Sequence, residues 1–436
     1  MNRLHVIFFA AAAVLAGCAT RETPPSTPPS GEAPSRVSAP GLTLPDGFTA
    51  TLFAEGLTTN RHIVVRDNGD VYTTIRSGQA KFRATDEEGG VAAFRDTDGD
   101  GVADETATFG TPDIDTGLAL YDGHLYYSSM TTIYASELGD ELVPAEPAEV
   151  VVAGMPQSAS GHRTKVITFD AEGNLYTQVG SPSNACQDDG PPGTPGLMPC
   201  TQLDEHGGVF RFDARARNQL HSEAGERYST GHRNVVALEW DAAAGALYGL
   251  MHGRDGFNQA WPDLYTAEED IELPAEEFHR IDEGDNLGWP YTYYDPIRGE
   301  RMVSPEYGGD GETAAEPGMY KEPLIGFPGH WAPNDIVIYS GTQFPERYRN
   351  GAFIAFHGPV APRREEPGGY NVVFVPMNAD GPTSGDWEIF ADDFEIPAPG
   401  SEQVGRPTGL AVGRDGSLYI GDDAGGRIWK VTYTGE

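Results

Sequence analysis

One phrase recurs six times along this chain, and it limits the fold more than any other feature. It is a tight turn followed by a short strand rich in β-branched and aromatic residues. The copies read NGDVYTT (68–74), DGHLYYSS (122–129), EGNLYTQVG (172–180), AGALYGLMH (244–252), NGAFIAFHG (350–358) and DGSLYIGDD (415–423). Each opens with Gly in a turn and then alternates apolar and polar side chains, the period of a hairpin strand. Alternating runs precede several copies, as in HIVVRD (62–67), KVITFD (165–170), VVALEW (235–240) and TGLAVG (408–413). Run, turn and run make one hairpin, and neighbouring sequence supplies further strands.

Six units over residues 41–436 average about 66 residues each, which suits four-stranded blades carrying long loops. The spacing is uneven, and the 106 residues between the fourth and fifth copies call for large insertions near 253–350. The expectation is an all-β, six-bladed β-propeller with inserted loops gathered at one mouth of its channel, where function usually sits. A β-sandwich with an appended domain is the competing fold. Gly (55) and Pro (34) together make about a fifth of the chain, which disfavours a helical bundle. The formal net charge of −37 excludes an electrostatic nucleic-acid binder, which needs a basic face. The acidic excess is most simply a solubility feature and identifies no partner.

The first forty residues read as an address. Arg3 gives a short positive start, Ile7 to Leu15 an apolar run, and Leu15-Ala16-Gly17-Cys18 the form of a bacterial lipobox. Cys18 would then carry lipid, with 1–18 as the signal and the Pro/Ser-rich 19–40 as a disordered linker. Ala19 after the cysteine implies sorting to the outer membrane. The alternative is an ordinary secretory signal that happens to contain a cysteine. The working domain, 41–436, would face the periplasm. There Cys186 and Cys200, 14 residues apart, are expected to form a disulfide, against the alternative of two free buried thiols. No C-x-x-C-H is present, so the chain carries no c-type haem site.

Esterase, zincin and Rossmann motifs are missing. Four segments remain. Asp96, Asp98, Asp100 and Asp104, with Gly101 at the sixth position, could wrap a Ca²⁺ as an EF-hand loop does, although position 12 is Ala107. The competing reading is an acidic, solvated turn. His162, in Ser160-Gly161-His162-Arg163-Thr164-Lys165, is placed to take a proton from an alcohol, or simply to tie down a loop. Arg233 and Asn234, in GHRN, offer a planar fork and an amide to carboxylates or ring carbonyls, or equally to a neighbouring loop. The fourth segment runs from His252-Gly253-Arg254-Asp255 through Glu276-Glu277-Phe278-His279 to Asn286-Leu287-Gly288-Trp289. Its carboxylates and turn carbonyls could hold a second Ca²⁺, and Trp289 could wall a flat ligand or belong to the core.

Taken in order, GHRTK, GHRN, HGRDG with WPDLY, NLGWPYTYYD, GFPGHWAPNDIVIYSG, GAFIAFHG and RPTGLAVGRDGSLYIGDD resemble the glucose/sorbosone dehydrogenase family. These are soluble sugar dehydrogenases that use pyrroloquinoline quinone (PQQ), and the chain looks closest to their sorbosone-type branch. The resemblance runs from about Leu44 to Tyr433. It implies a six-bladed propeller that oxidises an aldose or sugar aldehyde, passing hydride to the C5 of PQQ. It further implies His162 as general base, Arg233 and Asn234 on the quinone, and backbone carbonyls at Gly253-Arg254 on a Ca²⁺ that also holds PQQ. Arg406 matches the first of two family arginines that pair with PQQ carboxylates. Thr408 stands where the second would be, and Ser340-Gly341-Thr342-Gln343 where the family has a cofactor-binding lysine. Lys165 and Trp331 are candidate cofactor contacts, with His330, or Arg363 and Arg364 beyond His357, as further replacements.

Electrons would leave to an external quinone or cytochrome. The alternatives are a redox-inactive carbohydrate-binding propeller and a Ca²⁺-dependent lactonase-type hydrolase. All of this requires His162 and Arg233 to meet at one mouth.

Overall fold

The computed structural model describes residues 36–39 and 41–435, except 77–78, 81–82, 85–87, 158–161, 188–190, 360–367 and 395–404. Cys18, the signal, the linker up to residue 35, Ser160, Gly161, Arg363 and Arg364 lie outside the described residues.

Six antiparallel sheets radiate around one axis, and the six repeated phrases are the second strands of the six blades. Blade 1 is Asn60–Val65, Val71–Ile75, Gly90–Arg95 and Glu105–Phe109. Blade 2 is Ile114–Tyr121, His124–Ser129, Ile133–Glu137 and Glu149–Ala153, extended by Gln219–Leu220 in parallel. Blade 3 is Ile167–Phe169, Asn174–Val179, Gly208–Asp213 and Glu226–Thr230. Blade 4 is Val235–Asp241, Ala246–Met251, Glu276–Ile281 and Ile325–Phe327. Blade 5 is Pro333–Ile338, Ala352–Phe356, Asn371–Val375 and Glu388–Ala391. Blade 6 is Pro407–Val412, Leu418–Asp422 and Arg427–Tyr433, with its outer strand, Phe48–Glu55, taken from the start of the domain. Phe48 pairs with Tyr433 and Glu55 with Arg427, so the two chain ends close the ring.

The alternation expected of the repeated strands is only half right. Both faces are covered, because each blade packs on two neighbours, and Ala352–Phe356 is buried at every position. Parity decides the partner. Ile354 and Phe356 pack toward blade 4 with Tyr248 and Phe278, whereas Phe353 and Ala355 face blade 6 with Leu418 and Ile420. The core is therefore six slabs between blades rather than one centre. The turn glycines adopt positive φ at Gly69, Gly123, Gly173, Gly245 and Gly416. In NGAFIAFHG the left-handed residue is instead Asn350, and Gly351 serves a close approach, since a Cβ there would meet the Phe374 ring at 2.2 Å.

The long gap holds the expected insertions: short helices at Phe257–Ala260 and Glu269–Glu272 and a hairpin, Thr292–Asp295 with Glu300–Val303. Cys186 and Cys200 are disulfide-bonded within the blade 3 loop. Four residues of the stretch read as linker, Arg36–Ala39, pair antiparallel with Leu42–Pro45, whose Leu42 and Leu44 are buried. Among the described residues no helix is long and apolar enough to cross a membrane.

Candidate active site

First strands run away from one face of the disc and second strands return to it. Residues at the head of each first strand and the end of each second strand therefore meet around the channel mouth. Polar contacts cross every blade junction there. Arg76 Nε lies 3.4 Å and Arg163 Nε 2.7 Å from Asp115 Oδ2, joining blade 2 to blades 1 and 3. Ser181 donates its N–H to the Arg233 carbonyl at 2.8 Å, joining blade 3 to blade 4. His252 Nε2 reaches the Pro333 carbonyl at 2.6 Å, joining blades 4 and 5. Asp423 of blade 6 lies 3.0 Å from His357 Nε2 of blade 5 and 3.3 Å from Arg61 Nη1 of blade 1.

His162 and Arg233 share this mouth. His162 Nδ1 lies 3.0 Å from both the carbonyl and the hydroxyl oxygen of Ser181. A carbonyl only accepts, so the proton sits on Nδ1 and Nε2 presents its lone pair. Burial, and then the Arg233 charge, hold this imidazole well below the usual histidine range, and it stays neutral. Asn234 is drawn in beside it, its Oδ1 accepting from Gln178 Nε2 at 3.3 Å. Gly180 lies between them: a Cβ there would come within 2.5 Å of the His162 carbonyl oxygen and 3.2 Å of Asn234 Oδ1.

The Arg233 guanidinium is held on three sides. Nε donates to Asn184 Oδ1 at 3.0 Å, Nη1 to the Gly253 carbonyl at 2.7 Å and Nη2 to Asp255 Oδ2 at 2.9 Å. His330 Nδ1 lies 3.3 Å from the other oxygen of Asp255. Arg406 donates to the carbonyls of His357 (3.0 Å) and Gly358 (2.6 Å), at the rim that carries Asp423.

Sequence reasoning missed Arg61. Thr408, where a second arginine was sought, is fully buried, with its hydroxyl turned to the Asn60 carbonyl. Arg61, one residue on and from a different blade, supplies a guanidinium beside Asp423. Burial, and next the charge of Arg76, push Arg61 down to about 10, and its Nε makes no hydrogen bond. Arg61 immediately precedes HIVVRD, just as Arg233 closely precedes VVALEW and Arg406 TGLAVG. Strand-head position was the available signal.

Other expectations need correction. Lys165 has no exposed surface, and its amine donates to the Arg163 carbonyl at 3.0 Å, so it cannot touch a ligand in the channel. Burial lowers it to about 8. Trp331 belongs to the slab between blades 4 and 5, edge-on to Phe356 and Trp387. Trp289 is likewise core, although it also lines a small pocket with Asn184 and Arg233.

At the Gly253-Arg254 turn the Gly253 carbonyl is committed to Arg233. Its N–H donates to Glu276 Oε2 at 2.9 Å, and the Arg254 guanidinium pairs with Glu306 over the Phe257 ring. A Ca²⁺ at that turn would share the Gly253 carbonyl with Arg233. In the acidic loop, Asp96, Asp98 and Asp104 bring ligand oxygens within 4.8 Å of one another. Asp100 is not among them; its Oδ1 accepts the Val102 N–H. The loop joins the third and fourth strands of blade 1, on the face opposite the mouth.

The arrangement can take a proton at His162 Nε2 and hold a flat anion on several guanidinium groups. Structures of similar fold are sugar-active proteins. The family AA12 carbohydrate-active enzyme of Trichoderma reesei superposes with a TM-score of 0.71 at 20% identity, covering 91% of this chain and 98% of that one. The holo form of the PQQ domain of pyranose dehydrogenase from Coprinopsis cinerea gives 0.70 at 19%, with 91% and 98% covered. The soluble aldose sugar dehydrogenase of Escherichia coli gives 0.57 at 17%, with 88% and 99% covered. The six-bladed fold is thus the one these enzymes share. Residues 42–434 match the TrAA12-like family, and the chain belongs to it.

Proposed function

We propose that this protein is a PQQ-dependent sugar oxidoreductase acting on an aldose or sugar aldehyde. The observation that carries it is one channel mouth holding a neutral imidazole, with its lone pair on Nε2, beside Arg233 and within a ring of buried guanidiniums. PQQ is a flat tricarboxylate. Arg61 is buried and its Nε makes no hydrogen bond, so it holds a donor that such an anion would satisfy. Arg61, Arg233 and Arg406 would hold it, with Asn234 at its edge.

When bound, the cofactor would supply the acceptor for a hydride, which carries both electrons of the oxidation. His162 does the protein's share of the chemistry. Its Nε2 takes the proton of the sugar hydroxyl while Ser181 fixes the ring through Nδ1. Arg233, locked by Asn184, Gly253 and Asp255, needs no reorganisation to stabilise developing negative charge. A separate acceptor, a quinone or cytochrome, would take the electrons onward. A Ca²⁺ in the loop of Asp96, Asp98 and Asp104 would be structural. Lipid on Cys18 would anchor the protein, facing the periplasm, to the bacterial outer membrane.

Purified protein titrated with PQQ, with and without Ca²⁺, should perturb the quinone absorbance and then reduce a dye when sugars are added. His162→Asn should keep the absorbance change and lose turnover by about 10²-fold or more. Full activity in His162→Asn removes the base. No absorbance change in the wild type removes the cofactor, and lactone hydrolysis with metal alone would replace the oxidation.

A further inference from the structure

Arg233 and Arg406 stand at the heads of blades 4 and 6, and two paths of polar contacts join them across the head of blade 5. The first leaves Arg233 Nη1 at the Gly253 carbonyl, 2.7 Å away. The Gly253 N–H donates to Glu276 Oε2 at 2.9 Å, and the Ala332 N–H donates to Glu276 Oε1 at 3.1 Å. The Ala332 carbonyl then accepts the His357 N–H at 2.9 Å, and the His357 carbonyl accepts Arg406 Nε at 3.0 Å. The second path leaves Arg233 Nη2 at Asp255 Oδ2, whose other oxygen lies 3.3 Å from His330 Nδ1. One residue on, the Trp331 carbonyl accepts the Gly358 N–H at 2.8 Å, and the Gly358 carbonyl accepts Arg406 Nη2 at 2.6 Å.

Both paths cross in His330-Trp331-Ala332, and the backbone there is strained. His330 (φ 65°) and Ala332 (φ 57°) are both left-handed, a form that residues with a Cβ rarely adopt. The alternation sends the His330 ring to Asp255 and the Trp331 ring into the slab between blades 4 and 5. Glu276, itself buried, ties the turn to Gly253 through one N–H on each side. Strain of this kind persists only where the surroundings over-determine it, and it gathers at ligand sites.

We propose that this turn is a brace that fixes the spacing of Arg233 and Arg406 for a rigid, flat polyanion, with Glu276 as its positioning residue. The inference rests on the cofactor reading above and deepens it. A rigid anion cannot adapt to two loose cations, so it gains most when their separation is set before it binds. Charge alone gives the opposite expectation for Glu276. Its carboxylate, like that of Asp255, acts on Arg233, and deleting a negative charge beside an anion site should tighten the anion. The brace requires that the deletion weaken it.

The test compares Glu276→Ala, Glu276→Gln and His330→Asn with the wild type. Asn tolerates the left-handed φ at 330, so His330→Asn cuts the second path alone. Amide hydrogen exchange is read on the cofactor-free proteins, and PQQ binding by absorbance titration and calorimetry. In Glu276→Ala the His357 and Gly358 amides should exchange about tenfold faster, while those of Val91 to Phe94 in blade 1 stay as in the wild type. Its dissociation constant for PQQ should rise about tenfold, the effect of one lost hydrogen bond in a buried array. Glu276→Gln keeps one acceptor and should lose less, and His330→Asn should shift exchange and affinity in the same direction. These two variants give both readings if Glu276→Ala does not fold. PQQ affinity that is unchanged or tighter in the Glu276 variants overturns the brace. So does exchange at His357 and Gly358 that stays at the wild-type rate, or that quickens equally in blade 1. Where the wild type binds no PQQ, the cofactor reading falls and the exchange pattern alone decides the brace.

Discussion

His162 shows how a single side chain acquires its role from neighbours distant in sequence. An exposed histidine titrates near 6.5. Here burial and Arg233 disfavour the charged form, while Ser181 dictates which nitrogen carries the proton. In the cofactor-free protein, the ring signals of His162 in an NMR titration should therefore stay those of the neutral, Nδ1-protonated form as pH falls through 6.5. In Arg233→Gln the transition should move upward, because one of the two depressing influences is removed. A His162 that titrates near 6.5 in both proteins would show that neither burial nor charge sets its state. The residue type and its place before a strand were legible in GHRTK. The partner was not, because Ser181 lies beyond a whole hairpin and its contact depends on how tightly two strands approach. Arg61 escaped for a related reason: its neighbours Asp423 and Arg406 lie at the other end of the chain, and only ring closure brings them together.

At the scale of the strand, the mouth is a positional code. First-strand heads carry Arg61, Asp115, His162, Arg233, Asp335 and Arg406, and the ends of second strands carry Ser181, His252, His357 and Asp423. The repeated phrases were legible because turn glycines and aromatic alternation are local. Which face of a strand meets which neighbour was not, since both faces are buried and the alternation does not say which parity goes to which blade. The first strands crowd near the axis, and glycine marks the closest approaches. A Cβ at Gly409 of blade 6 would lie 2.2 Å from the Arg61 carbonyl oxygen of blade 1, and one at Gly117 of blade 2 would lie 2.0 Å from that of Lys165. Backbone cannot yield as a flexible side chain can. Gly409→Ala should therefore cost about 1–3 kcal/mol in urea unfolding, the range of core overpacking. It should also weaken binding of PQQ, because the strand it displaces carries Arg61. Gly69→Ala makes a useful contrast: no atom lies within 4 Å of its Cβ, so its loss should come only from the positive φ and leave binding alone.

The whole molecule stores its buried ionisable groups in two opposed sets, and their balance sets how stability depends on pH. Burial, the largest cause for each, lowers His221 and His252 to about 4 and His232 and His357 to about 3. Their unfolded values lie near 6.5, so below that pH the unfolded chain binds protons that the folded chain refuses. Stability is then lost as pH falls from 6.5 toward 4, by up to about 1.4 kcal/mol per group per pH unit. Burial acts in the other sense on Glu276, raised to about 7, and Glu239, raised to about 8, the latter also by the charges of Asp335 and Asp241. These two are protonated in the folded state and ionised when unfolded, and their contribution is lost as pH rises through 7 and 8. Between pH 5 and 6.5 these four histidines, joined by His162, His206 and His279, outweigh the two glutamates, so the net slope follows the histidines and stability climbs with pH. Above pH 7 the histidines contribute little and the glutamates turn the slope downward, until Lys165, lowered to about 8 by burial, opposes them from pH 8 upward. Urea midpoints measured from pH 5 to 9 should accordingly climb to neutrality and then level off. Glu239→Gln removes one opposing group, so it should steepen the rise on the acid side and lift the slope between pH 7 and 8. A midpoint that is level from pH 5 to 6.5 would mean that the buried imidazoles pick up protons in the folded state, contrary to the packing of the channel mouth.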